Sequence, residues 1–573
     1  VLILGISALA HDTAAALLDE RGTVVAAIEE SKLLRQRETT GIPRHAIQFC
    51  LQQAGIGWRD LFQIAVAARP VRTWARQAWF RTKTLPLAPL ASGYYHAKLL
   101  GELGRELNNF RILRLLAGSS GGRSARERVK AFDHHRCHAA SAFFASPFER
   151  ATILTLDEQG DGLAGMIALG EGRHIRPLRK IAFPHSPAWV YTMVTDLLGF
   201  TRRRDEHKTQ WLSLNAEPAG KQVFLKMLAG GRTEFPQLDP AYFTRGFAGR
   251  IAFSEKAYAE LGVDPARPGE IGEPQRAQIA ASLQHACTEL VTGLVEAARR
   301  QTGAAPLCLA GGLFLNTLLV ADLQERLGAE QVFVQPAAGN EGTALGAAWL
   351  SFYAAENTPR VEPPAGLYLG PGFASEDAKR VLDNCKARYR WLGTESEKLE
   401  ETIRLLEAGK IVAWCHGRTE FGPRALGHRS LLASPWAPYG KENLNEYIKH
   451  REAFRPFAIS VPAEDCERYF ENPGPNRLLT TLVRVRPEFR EHLREFCLAG
   501  GRVRLHAVEQ QANPLFHKLL KKFGERAPAP LLVNTSFNLF GEPLVVTPRD
   551  AVRSFYCSGI DALVIGNFLL NKD

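Results

Sequence analysis

Residues 1–30 read VLILGISALAHDTAAALLDERGTVVAAIEE. The apolar run at 1–7 is long enough for one strand, the polar His11-Asp12-Thr13 breaks it, and residues 14–18 resume it. Arg21-Gly22 turns the chain again into a third strand over 24–29. The opening run is far too short to span a bilayer, and no basic region precedes it.

Outward from this hairpin, residues 29–53 give a loop and an amphipathic helix from about Arg44. Residues 70–127 are basic, with Trp74, Trp79, Tyr94 and Tyr95 interleaved. Basic–aromatic interleaving suits base stacking, but a helical insertion lining a pocket or a subunit contact is the expectation favoured here. In FDHHRCHAASAFFASPF, Asp133 can cap a helix, which sets His134 and His138 four apart on one face. The strand ATILTLD delivers Asp157 beside the turn EQGDG. Two imidazoles and a carboxylate form a metal-ligand set, with His135 and Cys137 on other faces. Residues 200–218 are polar and charged, and read as a loop near the site. A long helix over 273–303 precedes a strand at 307–310 that opens into GGLFLN, with Gly311, Gly312 and Asn316. A second glycine cluster, GNEGTALGAAW at 339–349, follows a strand at 331–335. Two glycine turns entering helices suit close backbone approach to an adenosine and its phosphates.

The Pro/Gly-rich stretch 356–372 reads as a linker between residues 1–355 and 373–573. Beyond it, an apolar strand at 411–414 runs into CHGRTEFGPRALGHRSLLASP, followed later by YIKHREAFRPFAISV. The basic clusters Arg418/Arg424/Arg429 and Lys449/Arg451/Arg455 alternate with Gly, Pro, Phe and Leu, unlike a solvated charged face. Arginine offers a planar fork that matches phosphate or carboxylate, so the pattern predicts a site for a small multiply charged anion. Arg502 and Arg504 lie on a short strand at 501–508, and LLVNTSFNLFGEPLV adds Asn534, Ser536 and Asn538 to an otherwise apolar strand. Polar groups so placed cost stability unless they bind something.

The 573 residues allow two or more domains, and 45% hydrophobic with 23% charged residues is ordinary for a globular protein. Nine scattered cysteines without a CxxC pair argue against a disulfide framework and fit a reducing cytoplasm. No stretch reaches membrane-spanning length, so no membrane partner is expected. A formal charge of +11 points to anionic partners without choosing among them. No internal repeat is visible.

The ordered motifs G-I-x-A-x-x-H-D-x-x-A-A-L at 5–17, EESKLLRQRETTGIPRHAI at 29–47, His134/His138/Asp157, GGLFLN, GxxGTALGAA, GRTEFGPRALGHRS, KHREAFRPFA and VNTSFN resemble the O-carbamoyltransferase family of antibiotic and nodulation-factor pathways. That resemblance implies an α/β protein: an actin-like ATPase domain (a duplicated mixed sheet with helices), related to a tRNA threonylcarbamoylation enzyme, then a YrdC-like open α/β domain. It implies that carbamoyl phosphate and ATP, with Mg²⁺, give carbamoyl-adenylate in the second domain. A hydroxyl of a small natural-product-like acceptor then takes the carbamoyl group in the first, releasing AMP. Contacts to carbamoyl phosphate and adenylate fall on Arg424, Lys449, Arg455, Arg504, Asn534 and Ser536. His134, His138 and Asp157 fall on a divalent metal, with iron the ion implied, and Gly311, Gly312 and Asn316 on the nucleotide. His11 is the expected general base, since imidazole titrates near neutral pH. A homodimer is the expected assembly, and nucleic acid is not an expected partner.

Two departures stand out. Asn340 occupies the place of a family Asp ligand to the metal, and TQWLSLNAEP at 209–218 replaces the family's usual loop. Asn brings an oxygen but no charge, so a weaker or altered metal site is expected. The alternatives weighed are a threonylcarbamoyl-adenylate or tRNA-modifying enzyme, and a nucleotide-binding relative without turnover.

Overall fold

Contact density divides the chain into one unit of Val1–Val25 with Thr40–Pro363 and another of Ala26–Thr39 with Pro364–Asp573. The computed structural model describes residues 2–8, 11–76, 89–230, 234–245, 251–267, 270–355, 358–475, 477–539 and 541–572, with backbone alone at 89–99, 245 and 251. Trp79 lies outside the described residues, as do the side chains of Tyr94 and Tyr95.

The first unit is a duplication that the sequence does not display. Strands β1 (Leu2–Ser7), β2 (Ala14–Leu18), β3 (Val24–Glu29, of which only Val24 and Val25 cluster with this unit), β4 (Leu61–Val66) and β5 (Val129–Ala131) form a sheet in the order β3-β2-β1-β4-β5. Strands β6 (Arg150–Gly160), β7 (Leu163–Glu171), β8 (His174–Ala182), β11 (Leu307–Ala310) and β12 (Val332–Val334) repeat it as β8-β7-β6-β11-β12. In each sheet the central strand pairs antiparallel with its hairpin partner and parallel with the strand on its other side. A two-stranded ribbon, β9 (Phe243–Arg245) with β10 (Ile251–Phe253), stands apart. This doubled mixed sheet with helices is the actin-like architecture expected of the first domain. The duplication escapes a sequence search because strand pairing needs only alternating apolar character, which β1 and β6 meet with different residues.

Helices carry the site-bearing segments against these sheets. His134–Phe143 lies against Gly342–Phe352, and a Cβ at Gly346 would overlap the Cys137 carbonyl oxygen. Gly346→Ala should therefore push the two helices apart, destabilise the fold by roughly 1–3 kcal/mol and weaken any divalent-ion binding that His134 and His138 support. Thermal melting and a metal titration check both effects.

Within residues 70–127 the structure describes helices Pro89–Ala117 and Ala125–Arg128, in keeping with a helical insertion. Residues 200–218, expected as a loop, instead contain the helix Glu206–Leu212 and a short 3-10 turn at Ser213–Asn215. Trp211 and Leu212 are buried there, and the buried Thr209 and Gln210 hydrogen-bond Thr195 and Thr317, so tertiary packing and pairing outweigh the polar local composition.

The second unit is an open α/β sheet of ten strands: β13 (Arg390–Trp391), β14 (Val412–Cys415), β15 (Arg429–Ala433), β16 (Ala458–Pro462), β17 (Phe470–Glu471), β18 (Leu482–Val485), β19 (Arg502–Val508), β20 (Leu532–Ser536), β21 (Ala562–Ile565) and β22 (Phe568–Asn571). Their order is β13-β22-β21-β14-β15-β20-β16-β19-β18-β17. One face packs Ile459, Val461, Leu505, Val533 and Leu563 into a core. The other holds a second core with Trp414, Leu432, Leu532 and Val508. Among the described residues no helix is long and apolar enough to cross a membrane.

Candidate active sites

In the first unit, the helix His134–Phe143 and strand β6 bring three ligand atoms together. His134 Nε2 and His138 Nε2 lie 3.0 Å apart, and each is 3.3 Å from Asp157 Oδ2. All three residues are buried. The expected cap is not made by Asp133, whose carboxylate instead takes Arg72 at 2.8 Å and Arg69 at 3.5 Å. Asp161 does that work: its Oδ2 accepts the His134 backbone N–H at 2.8 Å, while its Oδ1 accepts from the Arg69 backbone and the Thr73 hydroxyl. Nor does β6 end at Asp157. The strand runs on to Gly160 through an irregular register, and a Cβ at Gly160 would overlap the His134 ring.

Burial alone would raise the Asp157 carboxyl, yet hydrogen bonds to His134 and His138 hold it well below the usual carboxylate range. Burial lowers the His138 imidazole, opposed by Asp157. An ionised carboxylate beside a neutral imidazole is the state in which both can donate lone pairs to a cation. Two ring nitrogens and a carboxylate oxygen suit a divalent transition ion better than Mg²⁺, which prefers oxygen. Asn340 Oδ1 is buried without a hydrogen-bond partner among the described residues, while its Nδ2 donates to the His11 carbonyl at 3.2 Å and lies 3.5 Å from His11 Nε2. The donor set and this orphaned oxygen fit a metal centre. Asn340→Asp should tighten divalent-ion binding by about tenfold or more, since a charged oxygen replaces a neutral one; a metal titration of both proteins tests it.

His11 Nδ1 bonds Asp12 Oδ2 at 2.7 Å. Burial pulls the imidazole down, but the hydrogen bond and charge of Asp12, then the charge of Asp157, hold it up at about 9. Asp12 reaches this position from the left-handed region, at φ 59°. The sequence reading overlooked Asp12. The signal was present, since Asp adopts this conformation more readily than most residues and its neighbour in the turn is an imidazole.

Gly311, at φ 102°, brings β11 against β6, where a Cβ would overlap the Leu156 carbonyl. The next amide, Gly312 N–H, then donates to Asp157 Oδ1 at 3.3 Å. Asn316 caps the helix Thr317–Leu327, accepting from Leu319 N–H at 3.1 Å and donating to Gln284 at 2.7 Å. Its amide is thus already engaged on both sides by the protein.

In the second unit, the predicted arginines separate into two kinds. Arg418 donates to the Leu369 and Gly370 carbonyls, and Arg429 to those of His416, Gly417, His428 and Val546. Both tie turns together. Arg451 also bonds the protein, its Nε donating to Asn445 Oδ1 at 2.7 Å, but Arg424, Arg451, Arg455 and Arg504 in addition repel one another. Burial, then Arg455, lowers Arg424 to about 10. Burial, then Arg455, lowers Arg451 to about 9. Arg504 falls well below its ordinary value through burial and then through Arg424, Arg451 and Arg455. Lys449 is lowered well below its own by burial, Arg451 and Arg455. Its ammonium donates to the Ser536 and Asn538 carbonyls and to Asn538 Oδ1, so it orders the turn that carries Ser536. Ser536 Oγ donates to the same Asn538 oxygen at 2.9 Å. Arg451 was named in the sequence only as one of a basic pair of clusters, and joins the site here.

Register explains why these groups meet. Ala458 of β16 pairs with Asn534 of β20 on one side and Arg504 of β19 on the other, so all three share one face. Buried cations that push on each other are held together when an anion joins them.

The carbamoyltransferase N-terminus family model matches residues 2–349, and the carbamoyltransferase C-terminus model matches residues 403–572. An uncharacterised protein of Synechocystis sp. is 33% identical, spanning 100% of this chain and 96% of its own. The nodulation protein NolNO of Sinorhizobium fredii is 32% identical over 98% of this chain and 79% of its own. The 3'-hydroxymethylcephem-O-carbamoyltransferase of Amycolatopsis lactamdurans is 33% identical over 52% of this chain and 54% of its own.

Proposed function

The chain belongs to the carbamoyltransferase family and is a carbamoyltransferase, and from this we propose that it is an ATP- and carbamoyl phosphate-dependent O-carbamoyltransferase. The observation that carries the reading is the buried group of mutually repelling cations at Arg424, Lys449, Arg451, Arg455 and Arg504. Two anionic substrates brought together there have their repulsion, and the charge that develops on transfer, neutralised in advance.

Water cleaves carbamoyl phosphate to carbamate and phosphate. A carbamate oxygen attacks the α-phosphorus of ATP, giving carbamoyl-adenylate and pyrophosphate. The acceptor hydroxyl then attacks the carbamoyl carbon, forming the O-carbamate and releasing AMP. The first two steps are assigned to the second unit: Arg424, Arg455 and Arg504 bind phosphate and carboxylate oxygens, and Lys449 holds the turn bearing Ser536 in place. Keeping a labile carbamoyl-adenylate away from bulk water is chemically sensible.

The last step is assigned to the first unit. Asp12 orients His11 so that Nε2, once deprotonated, can take the acceptor's proton. A divalent ion held by His134, His138 and Asp157 would supply positive charge for nucleotide phosphate, and the unpartnered Asn340 Oδ1 is a further oxygen available to it. Gly311 and Gly312 allow close backbone approach to that nucleotide. The Amycolatopsis relative acts on a hydroxymethyl group, which supports a hydroxyl as acceptor here. Asn316, engaged as a helix cap, would contribute by holding the glycine turn rather than by reaching the base.

The test is an acceptor-free mixture of protein, ATP, Mg²⁺ and carbamoyl phosphate, followed for pyrophosphate. Release that requires carbamoyl phosphate and is lost in Arg455→Ala supports the reading. Release that requires threonine and bicarbonate instead would move the chain to threonylcarbamoyl-adenylate chemistry.

A further inference from the structure

On the same face of the ten-stranded sheet as Leu432 and Leu532, Asn534, Ser460 and His506 form a closed hydrogen-bonded set beside Arg504. Ser460 of β16 pairs with His506 of β19, two residues along from the Ala458–Arg504 pair, so all four side-chain positions share that face. Ser460 Oγ lies 2.9 Å from His506 Nδ1. Asn534 Nδ2 lies 3.1 Å from Ser460 Oγ, 3.3 Å from the Ala425 carbonyl and 3.4 Å from His506 Nδ1. None of the three has a role in the function proposed above beyond the assignment of Asn534 to the substrate site.

The proton positions follow from this geometry. Burial holds His506 down to about 3, so the ring is neutral at physiological pH, with one N–H and one lone pair. Its Nδ1 faces a hydroxyl and an amide, both able to donate, so the lone pair is on Nδ1. The Ser460 hydroxyl gives its hydrogen to that lone pair, and its oxygen is then left to accept from Asn534. The Ala425 carbonyl can only accept. Both neighbours therefore require the –NH₂ end of Asn534 to face them; the flipped amide would set two carbonyl oxygens against each other. Asn534 Oδ1 is consequently turned away from the set, and it is buried without a hydrogen-bond partner among the described residues.

A buried acceptor held this firmly needs a donor from elsewhere. Between Asn534 and Arg504 in the cross-strand row stands only Ala458, so the amide and the guanidinium flank a single small side chain on that face. We infer that Asn534 Oδ1 accepts an N–H of the carbamoyl amide, and that Ser460 and His506 are positioning residues that fix the amide for this purpose. The site would then select a carbamoyl over an acetyl group, whose methyl offers no donor. The inference rests on the reading that this site takes carbamoyl phosphate and specifies how it tells that substrate from acyl phosphates of the same shape and charge.

Two stable phosphonates test it with the full-length protein: phosphonoacetamide and acetonylphosphonate, which differ in –NH₂ against –CH₃. Calorimetric titration should show phosphonoacetamide binding at least about tenfold tighter, because the methyl analogue leaves the buried oxygen unpaired. Asn534→Ala should bring the two affinities close to equal, and Ser460→Ala should reduce the ratio by about threefold while melting normally. A purely structural role for these residues would weaken both ligands alike and leave the ratio unchanged. Equal affinities in the unsubstituted protein, or an unaltered ratio in both variants, would overturn the inference while leaving the carbamoyl phosphate site standing. Failure of both phosphonates to bind the unsubstituted protein would remove that site and the inference together. If Asn534→Ala does not fold, the Ser460→Ala ratio decides the matter.

Discussion

Arg504→Met is expected to lower carbamoyl-phosphate-dependent pyrophosphate release by about a hundred- to a thousandfold while raising the midpoint of thermal unfolding. The two effects share one cause. Arg504 holds its proton less tightly in the folded protein than in the unfolded chain, because it is buried and faces Arg424, Arg451 and Arg455. A basic group with a lowered folded-state value costs stability wherever it is charged, which here includes neutral pH. Methionine keeps much of the volume and removes that cost, so the empty protein gains stability. The same charge is what neutralises the substrates, so turnover falls. Phosphate or a phosphonate should stabilise the unsubstituted protein more than the variant, since a ligand that binds only the folded state raises its stability. Melting curves with and without phosphonate, beside pyrophosphate assays, check all three outcomes. A variant that loses both stability and activity would mean that Arg504 supports the fold and does not await an anion.

His138→Ala should separate the two halves of the reaction. Its imidazole nitrogen stands 3.0 Å from that of His134 and 3.3 Å from Asp157. Its removal takes away one of three ligand groups and leaves Asp157 with a single imidazole. Bound metal should fall below detection by elemental analysis, and transfer to an acceptor should drop by about a thousandfold, the scale seen when a preorganised electrostatic contact is lost. Acceptor-free pyrophosphate release, assigned to the other unit, should be unchanged. Loss of both activities in a folded variant would contradict the division of labour.

The features legible in the sequence were those set by local pattern. Alternating and continuous apolar runs located β1, β2 and β3 to within a residue, and i, i+4 spacing placed His134 and His138 on one face. The anion site was visible because arginines sat among Gly, Pro and apolar residues, which a solvated surface does not need. What escaped was set by partners distant in the chain. Asp161, not Asp133, receives the His134 amide, a choice decided by Arg69 and Arg72 occupying Asp133. Arg418 and Arg429 read like Arg424, and only the fold shows that carbonyl oxygens already hold them. Asn316 and Lys449 similarly spend their side chains on the protein itself. Residues 26–39 cluster with the second unit although they follow the first hairpin directly. No local rule marks a segment that belongs with residues several hundred positions later.

The central claim is that the second unit makes carbamoyl-adenylate. The most direct measurement is mass spectrometry of an acceptor-free reaction, quenched early, with isotopically labelled carbamoyl phosphate and ATP. The account predicts an adenylate carrying the carbamoyl label, absent in Arg455→Ala and still present in His138→Ala. Consumption of carbamoyl phosphate with no labelled adenylate at any time and no consumption of ATP would contradict it.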